Sequence, residues 1–287
     1  MKNPQDFSHA KPSTIRRPHF IRIGPVTNFQ RNLFRVLPLL VAQLFVTAAR
    51  ADELENIEAP VARDASNFGL GVVVGSRQRP YKGLDSDTRV LPLISYENSW
   101  VRLQGLGATF KLGSVENFSF GLRIDRALNG YKASDAPILA GMEDRKASFW
   151  AGPSVQWRTG YVNLSGEASA DVSGKSKGTQ LRFSADHMFR TGRFGFTPRV
   201  SVAWLDRKSV DYYYGVRASE ATQERSAYDG SSTANVGVGL RSDFLVAPRQ
   251  SIFLDLSATR LGNAIKNSPL VDKSTQSGFL LGYLYRF

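Results

Sequence analysis

Cysteine is absent from all 287 residues. That excludes disulfides, thiolate metal sites and cysteine nucleophiles, and it removes the lipid-bearing cysteine on which a bacterial lipoprotein is anchored. Histidine is scarce: His9 and His19 lie near the start, which leaves His187 alone in the remainder. A general base needs its nucleophile within hydrogen-bond reach, and no GHxSNG-like hydrolase signature or paired-carboxylate motif stands out in the chain. A carboxylate-only protease stays open in principle, but the expectation is a protein without enzyme activity, cofactor or metal. Also missing after residue 51 is any run of 18 apolar residues, so no helix is expected to cross a membrane.

Charge is plentiful but unevenly placed. The 37 Lys and Arg against 25 Asp and Glu give a net charge of +12, which would suit nucleic acid or an anionic surface. Residues 1–51 hold eight bases and one acid, leaving only +5 on everything that follows. Nucleic acid is therefore not expected as a partner. The basic leader continues into the apolar run VLPLLVAQLFVTAA and then Ala49-Arg50-Ala51, an A-x-A pattern. The run is shorter than the roughly 20 residues of a membrane-spanning helix and is broken by Pro38 and Gln43. The expectation is a signal peptide over 1–51, cleaved after Ala51. An acidic periplasmic segment over 52–66 and a barrel over 67–287 would follow.

Past the leader, apolar residues recur with a period of two. In NFSFGLRID, Phe118, Phe120, Leu122 and Ile124 share one face, while Ser119, Gly121, Arg123 and Asp125 share the other. YVNLSGEASAD and RFGFTPRVSVAW repeat the pattern. Strands of about ten residues, greasy on one face and small or charged on the other, are the signature of a transmembrane β-barrel, in which closure satisfies every backbone N–H and C=O without water. A soluble sandwich also alternates. Aromatics clustered at strand ends, alternating short and long connections and the export leader favour the membrane. The fold class expected is all-β, a transmembrane antiparallel barrel in the outer membrane.

Tight turns fall at Asn98-Ser99, Thr159-Gly160, Thr191-Gly192 and Ala247-Pro248-Arg249, and long loops at about 76–88, 126–146, 206–232 and 262–276. Short turns face the periplasm and long loops the outside, so the chain must cross an even number of times between successive long loops. Splitting WVRLQGLGATFKL near Gly105 to Gly107 meets that condition and yields about twelve strands, with ten as the fallback. The face opposite the lipid carries Arg123, Asp125, Asn163, Glu167, Asp171, Gln180, Arg182, Asp186, Arg199, Arg241, Asp243 and Asp255. Mixed signs there predict ion pairs that fill the lumen; a selectivity lining is the alternative. Tyr212, Tyr213 and Tyr214 are expected to pack on the barrel rim, with a ligand-stacking loop as the alternative. A loop as long as 206–232 is expected to tolerate deletions.

The ordered set RPYKGLD (79–85), DYYYGVRASEA (211–221), NSPLV (267–271) and terminal GYLYRF resembles the MltA-interacting protein / OmpV family of Gram-negative outer-membrane proteins. That resemblance implies an outer-membrane barrel and a scaffold joining a murein-degrading lytic transglycosylase to a murein synthase. A small-solute porin or a surface adhesin is the alternative. The final strand puts Phe287, Tyr285, Tyr283, Leu281 and Phe279 on one face. Its aromatic end is similar to the assembly signal read by the barrel-insertion machinery, so Phe287, Tyr285 and Tyr283 are the residues expected to carry it. Outer-membrane lipid and that machinery are the expected partners. Periplasmic murein enzymes are added as candidates, docking on the acidic stretch of Asp52, Glu53, Glu55, Glu58 and Asp64.

Overall fold

The computed structural model describes residues 67–287. The expected cleavage site at Ala51 and the acidic Asp52, Glu53, Glu55, Glu58 and Asp64 lie outside the described residues. Strand segments follow in chain order: β1 (Asn67–Gln78), β2 (Ser86–Glu97), β3 (Val101–Gln104), β4 (Gly107–Val115), β5 (Phe118–Ala127), β6 (Ser148–Arg158) and β7 (Asn163–Asp171). Next come β8 (Thr179–Asp186), β9 (Phe189–Thr191), β10 (Phe194–Leu205), β11 (Thr233–Ala247), β12 (Gln250–Arg260) and β13 (Thr275–Arg286).

All pairings are antiparallel, and both β8 and β9 pair with β10, as two stretches of one crossing. The ring thus has twelve positions, closed by β13 against β1 and by β10 against β11. Parity located the least obvious turn: β3 and β4 form a hairpin around Gly105 and Leu106, and Gly105 takes φ +60°, a left-handed conformation that glycine adopts without penalty.

Lipid explains the outer surface. Val90 and Phe183 are 66% and 60% exposed and do not line the lumen, an apolar display that soluble proteins avoid. At the end carrying the tight turns, ring pairs form a girdle: Phe118 with Trp157 at 5.3 Å, Phe194 with Phe244 at 4.8 Å and Phe68 with Phe287 at 5.5 Å. Proline cannot donate to a ladder, and each proline within a strand sits where the ladder is interrupted. Pro153 lies in the gap in the β6–β7 register between Ala151 and Ser154. Pro198 faces the break between β8 and β9. Pro92 lies on a stretch of β2 that pairs only with β1.

The principal buried apolar cluster among the described residues is in the long loops, not the barrel. Segments 79–85, 128–147, 206–232 and 261–274 bring together Tyr81, Tyr131, Leu139, Val210, Ile265 and Leu270, of which the last four are fully buried. Burying each aliphatic side chain contributes about 1.5–3 kcal/mol, enough to hold the loops as a packed cap. Two short helices belong to it, α1 (Arg207–Tyr214) and α2 (Asn263–Lys266). The Ser209 N–H donates to Asp206 at the start of α1, and Gly215 N–H closes its end on the Asp211 carbonyl. That corrects the expectation for 206–232: Val210, Tyr213 and Val216 are core positions, so the segment cannot be shortened freely.

Candidate functional site: a capped, basic lumen

Inside the barrel, cations and carboxylates pair as the alternation predicts. Arg199 on β10 forms a bidentate pair with Asp255 on β12, both contacts at 2.6 Å. It reaches across β11 because Gly239 lies between them; a Cβ there would stand 2.8 Å from the guanidinium carbon. Arg241 pairs with Asp243 two residues on and lies 3.9 Å over the Phe253 ring. Arg123 meets both Asp125 and Glu167, and Glu97 accepts from Arg102 and Lys111 near the tight turns. The other inward residues act as hydrogen-bond partners: Asn163 with Asp186, Gln180 with Ser169, and Asp171 with Ser148, Ser173 and Ser176. Arg182 is different. It faces Glu167 in register yet makes no ion pair, and its side chain is exposed to the lumen.

A cavity of 1670 Å³ remains between these pairs. It runs from Asn98 and Arg158 near the tight turns to Tyr81, Tyr213 and Tyr214 under the cap. Its lining carries ten Lys and Arg against five Asp and Glu, so the interior favours anions.

The cap over the opposite end is held by buried polar groups. One terminal nitrogen of Arg145 donates to both carboxylate oxygens of Glu220, at 3.0 and 2.9 Å, with side chains only 3% and 4% exposed. Arg145 also donates to the carbonyls of Tyr212 and Glu143. Arg225, equally buried, is satisfied by the backbone carbonyls of Ile138, Ala140 and Glu220. Burial alone would raise the Glu220 carboxyl, but the N–H groups of Glu143 and Arg217 and the Arg145 guanidinium outweigh it and hold it below its usual range. Burial pushes the hydroxyls of Tyr131 and Tyr213 up to about 12, so both are neutral donors in the cap.

Three of the four sequence motifs converge here. The Tyr81 hydroxyl donates to the Tyr213 carbonyl at 3.0 Å, and its ring stacks on Tyr214 at 5.6 Å. Lys82 N–H donates to the Leu270 carbonyl, and the Ser268 hydroxyl to that of Tyr214. RPYKGLD, DYYYGVRASEA and NSPLV are therefore parts of one structure, and Tyr212, Tyr213 and Tyr214 are packed into it, in line with the rim-packing expectation and not with a ligand-stacking loop. The fourth motif ends β13. Phe287 N–H donates to the Phe68 carbonyl at 2.9 Å, the Tyr285 ring meets that of Phe287 at 5.0 Å, and the Tyr283 hydroxyl reaches Gln250. All three terminal aromatics sit at the seam where the last strand meets the first. His187 lies outward beside Phe189, with 4.5 Å between ring centroids. The cap left little trace that sequence reasoning could use, beyond tyrosine and glycine clusters in the loops.

A closed antiparallel ring with a lipid-facing apolar surface, tight turns at one end and long loops at the other defines an outer-membrane β-barrel protein. The chain belongs to the MltA-interacting protein MipA family, whose model matches residues 70–287. It is 28% identical to the "MltA-interacting protein" of Escherichia coli K12 over 234 residues, covering 80% of this chain and 94% of that one. The "Putative outer membrane protein YiaT" of the same organism is 29% identical, over 78% of this chain and 92% of the relative. OmpV of Vibrio cholerae is 25% identical, over 61% and 68%. Among solved structures, an outer-membrane channel from Pseudomonas putida F1 is similar at TM-score 0.42 and 10% identity, covering 82% of this chain and all of that one.

Proposed function

We propose that this outer-membrane barrel is a non-enzymatic scaffold that holds periplasmic murein-remodelling enzymes, a lytic transglycosylase and a murein synthase, at the membrane. The observation that carries the reading is the cap: a packed apolar core lies over the end with the long loops, so the barrel is poorly built to pass solutes outward. The name of the Escherichia coli relative points the same way. A stable protein contact buries more than about 1,000 Å² in total, and tight turns alone offer little surface. Trp100 and Tyr161, 75% and 85% exposed on two of those turns, are the aromatic anchors such contacts favour. The acidic residues Asp52, Glu53, Glu55, Glu58 and Asp64 would add a charged tether, weakened by salt.

The test is capture of a purified lytic transglycosylase by the detergent-solubilised protein, comparing intact chain, a variant lacking residues 54–64 and Trp100→Ala. Intact protein should retain the enzyme, and both variants less of it. No capture by intact protein would reject the scaffold. Large, stable channels from the unmodified protein in planar bilayers would put a small-solute porin in its place, and capture of surface ligands through the loops an adhesin.

A further inference from the structure

The wall of the barrel is incomplete on one side. β2 runs from Ser86 to Glu97, but only Ser95, Tyr96 and Glu97 pair with β3. The β3–β4 hairpin turns back at Gly105 and Leu106, where Gly105 N–H donates to the Ile94 carbonyl. Across the hairpin, β4 follows β5 as far as the Gly107–Asp125 pair. From Leu93 back to Ser86, β2 has no partner on that side among the described residues. At about 3.3 Å per residue, the open edge is roughly 26 Å long.

Backbone groups alternate sides along a strand, so Pro92, Val90 and Thr88 point to the same edge as Ile94. Pro92 has no N–H to offer there, and an unpaired edge is a place where a strand tolerates proline. The remaining N–H and C=O groups of Val90 and Thr88 face the gap. Lipid cannot satisfy them, and bare backbone is tolerated at membrane depth only where it lines a wet cavity. The cavity supplies that lining: it is bounded by Asp87, Arg89 and Leu91 on one bank of the gap and by Asp125, Arg126 and Ala127 on the other. With the loop end capped, the gap joins the lumen to the outer leaflet.

We infer that this gap is a lateral portal through which an alkyl-chain amphiphile with an anionic head, drawn from the outer leaflet, enters the lumen. Charge selects the head. Around the gap Arg89 is paired with Asp87 at 2.6 Å and Arg123 with Asp125, so Arg77 and Arg126 supply the net positive charge there, and the whole lining has a twofold excess of cations. Geometry selects the tail. Val90, Ile94 and Leu106 offer exposed apolar surface on the outside of the same gap, so the chain stays on apolar surface as the head reaches Arg89.

The test uses the full chain in phosphatidylcholine vesicles, photolabelled either with a diazirine-bearing palmitate or with a diazirine-bearing phosphatidylglycerol, and labelled residues are mapped by mass spectrometry. Label is expected on the inward residues Leu91 and Thr109. Arg89→Gln, which removes one guanidinium from the gap and leaves the Asp87 carboxylate without its partner, should lower it about tenfold. Leu91→Trp should block inward labelling while leaving outward labelling unchanged, with folding checked for each variant by the migration of unheated samples. Inward label from palmitate alone assigns a carboxylate head, from phosphatidylglycerol alone a phosphate head, and from both any anionic head; each supports the portal. Label confined to Val90, Ile94 and Leu106 would show ordinary surrounding lipid and overturn it.

Discussion

Replacing Arg145 by methionine should open the cap without unfolding the barrel. The substitution keeps most of the aliphatic volume but leaves the Glu220 carboxylate, 4% exposed, without its guanidinium. It also removes donors to the Tyr212 and Glu143 carbonyls. Breaking one side of a buried pair costs about 3–5 kcal/mol, which raises the open fraction of the cap roughly a hundred- to a few-thousand-fold. Strands and cap share few side chains, so unheated samples should still migrate as folded barrels. Chymotrypsin reads the opening directly, because its sites at Tyr81, Tyr131 and Tyr213 are buried. Cleavage there should accelerate, and conductance in planar bilayers should rise. The double variant Arg145→Met with Glu220→Gln removes both charges while keeping an acceptor for the Glu143 N–H, so it should be closer to the parent than Arg145→Met alone. If Arg145→Met is as resistant and as silent as the parent, or if the double variant is the sum of its parts, the pair does not hold the cap.

Acid should act on the same contact. Glu220 is held below its usual range in the folded cap, so its contribution is present above the unfolded carboxyl value of about 4.3 and is lost as pH falls through the folded one; chymotrypsin access cannot be measured there, but pepsin cleavage of the loops should rise over that window in the parent and less in Glu220→Gln. Deleting Phe287 removes the ring stacked on Phe68 and the N–H bonded to its carbonyl. Insertion, followed as outer-membrane protein that migrates as folded when unheated, should fall far more than after deleting Lys175 from the short loop at 172–178, and equal losses would remove the terminal aromatics as an assembly signal.

The barrel was legible because every strand meets two media at once, and a period of two records which residue faces which. Even the β3–β4 hairpin, too short to show a pattern in VRLQ, was recoverable from parity, since a chain between two outer loops must cross an even number of times. The lumen pairs were legible as a set but not singly: Arg182 faces Glu167 in register without pairing, whereas Arg199 passes Gly239 to reach Asp255 two strands away. The cap was not legible, because its core joins Tyr81, Leu139, Val210 and Leu270 from four loops with no common period. The open edge of β2 shows the limit most clearly. SDTRVLPLISYE reads as a strand, and its proline reads as an edge, but a closed barrel has no edges. The two statements are compatible only if the barrel is closed at one height and open at another, which the register of three pairs between β2 and β3 permits.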